Sequence, residues 1–273
     1  MSRPNGQRAF EGGLVALASL VVLFLGLPVV TLVVRAVVGG SLGRVLSTQV
    51  VLDALTLSLG TTAVSLVLTL VLGLPLAVLL ARHRFPGAAL LDAAVDLPIV
   101  LPPAVAGLAL LLVLGRNGLF GGPLQALGIE VPFTTIAVIL AQTFVSAPFF
   151  IRSARTGLGG VDREVEDAAR VDGASELQVF RQISVPLAAP ALAAGLVMSW
   201  ARSLGEFGAT IMFAGNVEGR TQTLPLVVYS QFTAGDLGGS IAAGAVLVLA
   251  AFGVLVAVRR LHWGGALDLR SIA

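Results

Sequence analysis

Six long apolar runs, separated by shorter polar segments, dominate the pattern of hydrophobic and polar positions along this chain. The runs cover approximately residues 14–34, 55–81, 97–114, 133–151, 187–213 and 241–258. Each run approaches or exceeds the roughly 20 apolar residues that a helix needs to cross a bilayer. No segment repeats the two-residue alternation that is typical of strands in a membrane barrel. The pattern predicts an all-α integral membrane protein with six transmembrane helices in one domain, residues 1–273.

The first apolar run could also be the core of a signal peptide. Such a core is shorter than a membrane span, and a small-residue cleavage site follows it. The run 14–34 is 21 residues long and leads directly into Arg35 and the apolar residues after it. We therefore expect a retained transmembrane helix.

The arginines are distributed unevenly between the two sides of the predicted bundle. Twelve of the 17 basic residues lie on the same side as the N-terminus, four lie on the other side, and Arg202 lies within the fifth run. Short cytoplasmic segments of membrane proteins carry the excess of basic residues. Both termini and the connection 152–186 are therefore predicted to face the cytoplasm.

The composition supports a membrane protein and excludes several kinds of chemistry. Only 12% of residues are charged, against about 25% in soluble domains. The net charge of +2 comes from arginines near helix ends, which favours lipid headgroup contacts over nucleic-acid binding. There is no cysteine, and His83 and His262 are far apart in sequence. We expect no disulfide, no metal site and no catalytic residues.

The connection before the fifth run concentrates charge, because it holds 11 of the chain's 32 charged residues. It also carries helix start and stop signals. Asp162 suits an N-cap, and Gly173 suits the left-handed position after a helix. Ser175 and Gln178 fit a capping box that opens a second helix, and Pro186 bounds that helix. The connection is predicted to fold as helix, glycine bend, helix.

Two interpretations of this loop remain open from the residues alone. Val165, Ala168 and Ala169 share one side of the first helix, and Leu177 and Phe180 share one side of the second. Small and apolar residues on one face would let a partner protein approach closely. The alternative is a solvated loop with ordinary helical content.

The loop resembles the EAA motif of ABC-importer permeases. That motif reads Glu-Ala-Ala, three residues, Gly, nine residues, Ile, one residue, Leu-Pro. Here Asp167-Ala168-Ala169 is followed at the same spacing by Gly173, Ile183 and Val185-Pro186. Asp167 replaces Glu and Val185 replaces Leu, which keeps the charge and the apolar character. The resemblance implies that the loop couples to an ATPase subunit through Glu166, Asp167, Ala168, Ala169, Asp172, Gly173 and Ala174.

The resemblance extends over nearly the whole chain and favours one branch of the family. The stretches that carry it are 97–103, 114–118, 203–210, 214–216 and 219–226. They are similar to molybdate and sulfate permeases, and "LPP…LGRNG" and "GRTQTLPL" are closer to the molybdate type. This implies a type I ABC importer permease in the bacterial inner membrane that passes a tetrahedral oxyanion, expected to be molybdate, into the cytoplasm. Sulfate or thiosulfate and tungstate are the alternative substrates.

The same resemblance implies partners and no cofactor on this chain. ATP and Mg²⁺ would bind two copies of an ATPase subunit, and this chain has no lysine with which to build a phosphate-binding loop. A second permease copy, forming a homodimer, membrane lipids and a periplasmic or lipid-anchored substrate-binding protein complete the expected assembly. A secondary transporter driven by an ion gradient is the alternative. It would need intramembrane carboxylates and inverted repeats, and only Glu206 clearly lies within an apolar run.

The pore or gate candidates lie in the third and fifth runs. They are Pro102, Pro103, Ser199, Arg202, Ser203 and Glu206. The prolines free backbone carbonyls where a helix can line a cavity, although a purely structural kink is the alternative. Arg202 and Glu206 are four residues apart and can pair on one helix face. A carboxylate repels a dianion, so Glu206 is expected to be structural or gating. Arg202 and the two serines could donate to an oxyanion.

Overall fold

A computed structural model describes residues 5–46 and 48–268, and every regular element within these ranges is helical. The helices are α1 (Asn5–Val38), α2 (Ser41–Leu46), α3 (Gln49–Arg82), α4 (Ala88–Val100), α5 (Pro103–Leu114), α6 (Gly121–Ala126), α7 (Thr135–Gly159), α8 (Arg163–Val171), α9 (Glu176–Val179), α10 (Val185–Leu204), α11 (Gly208–Phe213), α12 (Leu224–Thr233) and α13 (Leu237–Asp268). A π-helical turn, Phe180–Ser184, joins α9 to α10. The predicted all-α class is confirmed.

Five helical segments among the described residues are long and apolar enough to cross a membrane. They are Glu11–Val38, Gln49–Arg82, Thr135–Gly159, Glu176–Leu204 and Leu237–Val256. A sixth candidate consists of α4 and α5 together, which are bent against each other by 119°. Five of the six predicted runs therefore correspond to long helical segments, and the run 97–114 is a sharply broken pair instead of one helix.

The break between α4 and α5 follows from its prolines. Leu101 and Pro102 both have extended ψ angles, 133° and 134°. A residue before proline is disfavoured in the helical conformation, so Leu101 and Pro102, which each precede a proline, leave the helix. Pro103 then starts α5, where its missing N–H has no helical partner in any case. The prolines were predicted to kink this span, and the structure places a full change of direction there.

The fifth run and the helix before it differ from the prediction in two ways. The run 187–213 is not continuous, because α10 ends at Leu204 and α11 begins at Gly208. The second loop helix does not end at Pro186. Val185 donates its N–H to the carbonyl of Phe180, five residues back, and this wide turn carries the helix past the proline into α10.

The described chain divides into two compact units. One unit joins the chain up to Val51 with the chain from Val227 onward. Within it α1 packs on α2 and α13, and Ser240 donates to the carbonyl of Val228 at 3.0 Å. Its long apolar helix surfaces are exposed, as expected for helices that face lipid.

The second unit, Leu52–Leu226, contains the loop and the helix breaks. Its main contact is between α7 and α10. A Cβ added to Gly195 would lie 2.8 Å from the Cβ of Ser153, so glycine allows the two helices to approach closely. Between α3 and α7, Gln142 Nε2 donates to Thr62 at 3.4 Å, and Thr143 donates to Ser65 at 3.1 Å. These hydrogen bonds hold two spans together inside the unit.

Candidate functional site

The polar loop between α7 and α10 folds as two capped helices. Asp162 accepts a hydrogen bond from the N–H of Glu164 at 2.9 Å and starts α8. After α8, Gly173 has φ of +92° and donates to the carbonyl of Arg170, while Ala174 donates to the carbonyl of Ala169. This pair of bonds is a Schellman motif, which satisfies the last carbonyls of a helix. The predicted N-cap and glycine bend are both confirmed.

The second loop helix begins with the predicted capping box. Ser175 Oγ accepts from the N–H of Gln178, and the Gln178 side chain accepts from the N–H of Ser175. Two of the unpaired N–H groups at the helix start are thereby satisfied. The helix–bend–helix form of the loop is encoded by hydrogen bonds between residues a few positions apart.

An arginine clamp holds the two loop helices at a fixed angle. Arg170 on α8 donates to both carboxylate oxygens of Glu176 on α9, at 2.7 and 3.0 Å, and to Asp167 at 2.6 Å. The hydrogen bonds to Glu176 and then to Asp167 raise the pKa of Arg170. The bidentate arrangement constrains the angle across Gly173.

Glu166 anchors the loop to the membrane helices. Its side chain is 2% exposed and forms an ion pair with Arg82, the last residue of α3. The Nη2 atom of Arg82 donates to Oε1 at 2.5 Å, and the Ser184 hydroxyl donates to the same oxygen at 2.5 Å. Burial alone would raise the pKa of Glu166, but these hydrogen bonds and the charge of Arg82 hold it below its usual value.

The expected coupling residues divide into an exposed set and an internal one. Asp167, Ala168, Asp172 and Gly173 are exposed, and Ala169 and Ala174 are half-buried. Glu166 differs from this set because its carboxylate is covered by Arg82 and Ser184. A direct contact between the Glu166 carboxylate and a partner protein is therefore not available in this conformation. Glu166 thus has an internal position in the structure, and its expected part in coupling to the ATPase subunit stays a prediction.

The loop presents an apolar surface that no described part of the chain covers. We call this surface the loop face and define it by Val165, Ala168, Val171 and Leu177. Val171 is 87% exposed and Leu177 is 63% exposed. Phe180, by contrast, is half-buried and packs against the core cluster formed by Leu158, Val161 and Ala188.

The helix that begins at Pro103, one of the pore candidates, packs closely against α11. A Cβ added to Gly208, at the start of α11, would lie 2.8 Å from the Cβ of Pro103. One added to Gly107 on α5 would lie 2.5 Å from the carbonyl oxygen of Ala209. Pro102 is exposed at the corner between α4 and α5. The "LPP" and "GEFG" stretches, about a hundred positions apart in sequence, thus pack together through glycines.

The break between α10 and α11, at the end of the candidate span Glu176–Leu204, contains an ion pair. Arg202 Nη1 lies 2.5 Å from Glu206 Oε2, and the Glu206 side chain is fully buried while that of Arg202 is 28% exposed. Glu206 Oε1 accepts the N–H of Ala209 at 2.7 Å and so caps α11. The predicted i, i+4 pair is present, and the structural or gating role expected for Glu206 stays a prediction.

The two serine candidates are both buried among the packed helices. Ser199 is fully buried and donates to the carbonyl of Ser146 at 2.7 Å. Ser203 is also buried, and its hydroxyl has no hydrogen-bond partner among the described residues. Neither hydroxyl is exposed in this conformation, and the expected role of both as anion donors stays a prediction.

Sequence reasoning missed Arg82 and Ser184 as partners of Glu166. Arg82 is 84 positions from Glu166, and a sequence spacing of that size carries no signal. The only hint is that Arg82 ends an apolar run on the side predicted to face the cytoplasm. Ser184 lies in the π-helical turn, which has no sequence marker of its own.

The fold and the loop define a multi-pass helical membrane protein with a structured polar loop between two spans. Residues 73–262 match the family described as binding-protein-dependent transport system inner membrane component. The match covers more than half of the chain, and the chain belongs to this family. Members of this family are the inner-membrane components of binding-protein-dependent transport systems. The predicted permease role and inner-membrane location are confirmed.

Two curated relatives are similar in sequence to part of this chain. Over 103 residues it is 45% identical to the molybdenum transport system permease protein ModB of Haemophilus influenzae, covering 38% of this chain and 45% of that protein. Over 134 residues it is 35% identical to the sulfate transport system permease protein CysT of Salmonella typhimurium, covering 49% of this chain and 48% of that protein. The chain spans about half the length of the curated relatives it matches.

The chain is also similar to a solved structure, that of a bacterial ABC transporter involved in the import of the acidic polysaccharide alginate. The TM-score is 0.73 at 16% identity, and the match covers 93% of this chain and 96% of that chain. At this identity the likeness is one of fold alone. It confirms the predicted importer-permease architecture, while the sidedness of the termini stays a prediction.

Proposed function

We propose that this chain forms the pore of an ATP-driven importer that takes molybdate from a binding protein outside the membrane. The observation that carries the substrate assignment is the 45% identity to a molybdenum permease, against 35% to a sulfate permease. The stretches "LPP…LGRNG" and "GRTQTLPL", which resemble the molybdate type, support the same assignment.

The loop face is proposed as the dock for the ATP-hydrolysing subunit. It combines exposed apolar residues with a rigid, doubly capped frame, and a rigid frame lowers the entropy cost of binding. The exposed Asp167 and Asp172 lie beside it for polar contacts at the rim. Glu166 connects this dock to α3 and to the turn before α10, so a movement of α8 would be transmitted to two spans.

Sulfate is the second candidate substrate, because the chain is also 35% identical to a sulfate permease. Tungstate has the same charge and tetrahedral shape as molybdate, so it is expected to share the pathway. An ion-gradient mechanism has less support, because the one buried carboxylate within the described part of the apolar runs, Glu206, is already paired with Arg202.

Reconstitution with an ATPase subunit and a binding protein tests this proposal. Proteoliposomes are expected to hydrolyse ATP faster when the molybdate-loaded binding protein is added outside, and to accumulate labelled molybdate. Competition with tungstate and sulfate ranks the substrates. Uptake that needs no ATP and collapses with the proton gradient would contradict an ATP-driven importer, and preferred sulfate uptake would contradict the molybdate assignment.

The dock is tested with a matched pair of variants. Val171→Asp places a charge on the loop face, and we expect the ATPase subunit to stop co-purifying with the permease. Leu119→Asp is the control, because Leu119 is 75% exposed but lies outside the loop. Equal co-purification with both variants would contradict docking on the loop face.

A further inference from the structure

Arg202 stands out among the arginines because it lies inside an apolar run and has unused hydrogen-bond donors. A guanidinium carries five N–H donors. Among the described residues, its one ion-pair contact is the one from Nη1 to Glu206. The side chain is 28% exposed, so the remaining donors reach the surface of the protomer.

Lipid is not a suitable neighbour for the exposed part of the Arg202 side chain. A guanidinium facing hydrocarbon is costly, and intramembrane arginines face a polar cavity or a partner instead. The flanking residues on the same helix end, Ala201 and Gly205, are small and exposed. Because both residues are small, neither adds bulk beside the guanidinium.

We propose that Arg202 forms a transit site at which the oxyanion is briefly held while it crosses the membrane. This inference rests on the proposed function for the class of substrate. The planar fork of a guanidinium matches the oxygens of a tetrahedral oxyanion and donates two parallel hydrogen bonds to them.

Glu206 makes the site weak, which suits transit. Its buried carboxylate cancels the charge of Arg202, so the passing anion gains hydrogen bonds but little net Coulomb attraction. A conducting path must bind its ion strongly enough to admit it and weakly enough to release it. Glu206 also fixes the position of the guanidinium, because its second oxygen is held by the N–H of Ala209 at the start of α11.

The test distinguishes a role of Arg202 in binding the anion from a role limited to pairing with Glu206. Arg202→Gln is expected to lower the oxyanion uptake rate at least about tenfold, the size expected for losing a hydrogen bond to a charged group. The double variant Arg202→Gln with Glu206→Gln removes the unpaired carboxylate but restores no cationic donor. We expect it to stay equally slow, whereas binding-protein-stimulated ATP hydrolysis continues. Wild-type uptake by the double variant would overturn the transit site.

Two controls support the assignment of a transit site. A matched variant tests for a general effect of losing an arginine, and an assembly measurement tests for a contact between permease copies. Arg116→Gln breaks an exposed pair with Glu130, formed at 2.7 Å, and is expected to transport normally. Size-exclusion chromatography of the purified permease should give the same oligomeric state for wild type and Arg202→Gln. A change in that state would show that Arg202 contacts a second copy, and it would overturn the proposal.

Failure of the proposed function can be told apart from failure of the transit site. The variants are measured with whichever of molybdate, tungstate and sulfate the wild type imports. Wild-type uptake of sulfate alone would contradict the molybdate assignment and still test Arg202. A wild type that imports none of the three would contradict both proposals.

Discussion

Glu166 and Asp167 are neighbouring carboxylates with opposite environments. Neighbouring residues on an α-helix point about 100° apart, so one side chain turns toward α3 and the other toward solvent. The Glu166 side chain is 2% exposed, whereas that of Asp167 is 71% exposed. The sequence motif identifies Asp167 as its acidic residue. It does not show that the fold buries the neighbouring Glu166, because that burial depends on Arg82 and Ser184, which are distant in sequence.

Glu166→Gln is expected to destabilise the permease much more than Asp167→Asn. The first change leaves Arg82 without its anion in a largely covered site, and breaking such a pair costs about 3 kcal/mol. The second removes an exposed pair, which contributes about 0–1 kcal/mol. Denaturant unfolding of both purified variants measures the difference. Equal stabilities would contradict the anchoring role of Glu166.

The anchor also predicts a pH dependence. The folded-state pKa of Glu166 is lowered, so its ion pair contributes its full stability above the ordinary carboxyl pKa of about 4.3. This contribution is lost as the pH falls through the lower folded-state pKa. The stability gap between wild type and Glu166→Gln should therefore be constant from pH 7 to about 5 and shrink below about 4. A gap that grows on acidification would contradict this assignment.

At the level of elements, the nearby sequence determines the polar loop between α7 and α10 more completely than it determines the π-helical turn and the break after α10. The N-cap at Asp162, the bend at Gly173 and the capping box at Ser175 form from residues a few positions apart, so they could be predicted. The π-helical turn before α10 could not, because it accompanies the contact between Ser184 and Glu166. The end of α10 near Gly205 also escaped prediction, since its apolar run continues into α11 and Glu206 caps that helix only in three dimensions.

Gly173→Val is expected to uncouple ATP hydrolysis from transport while leaving membrane insertion intact. Nothing lies within 4 Å of a Cβ added at this position, so the cost comes from its φ of +92°. A left-handed conformation costs roughly 1–2 kcal/mol for a residue with a Cβ. Substrate-stimulated ATP hydrolysis and uptake are measured together in proteoliposomes.

Two further variants show whether backbone conformation causes the effect. Gly173→Asn should be milder than Gly173→Val, because asparagine adopts the left-handed conformation more readily. Gly159→Val, at the end of α7, also meets no atom within 4 Å and has an ordinary φ, so transport should remain coupled. Coupled transport in Gly173→Val would contradict the rigid bend.

At the level of the whole molecule, hydrophobicity predicts the number of spans better than their paths. The apolar runs located the long helices, since length and apolar content are properties of the sequence itself. The prolines located the break in the third run but not its angle of 119°. At this break α11 packs against α5, where Gly107 and Gly208 allow close contact, and that long-range contact has no signal in the sequence.

The sharp bend makes the path of the α4–α5 pair a testable prediction. If the pair crosses the membrane, Asn117 lies outside and Glu164 lies in the cytoplasm. The chain has no native cysteine, so Asn117→Cys and Glu164→Cys each introduce a single thiol at an exposed position. In intact cells, a membrane-impermeant maleimide should label Asn117→Cys but not Glu164→Cys, whereas a permeant maleimide should label both. A re-entrant pair would leave Asn117 in the cytoplasm and would place Glu164, after the next span, outside. Protection of Asn117→Cys together with labelling of Glu164→Cys by the impermeant reagent would therefore contradict a crossing by α4 and α5.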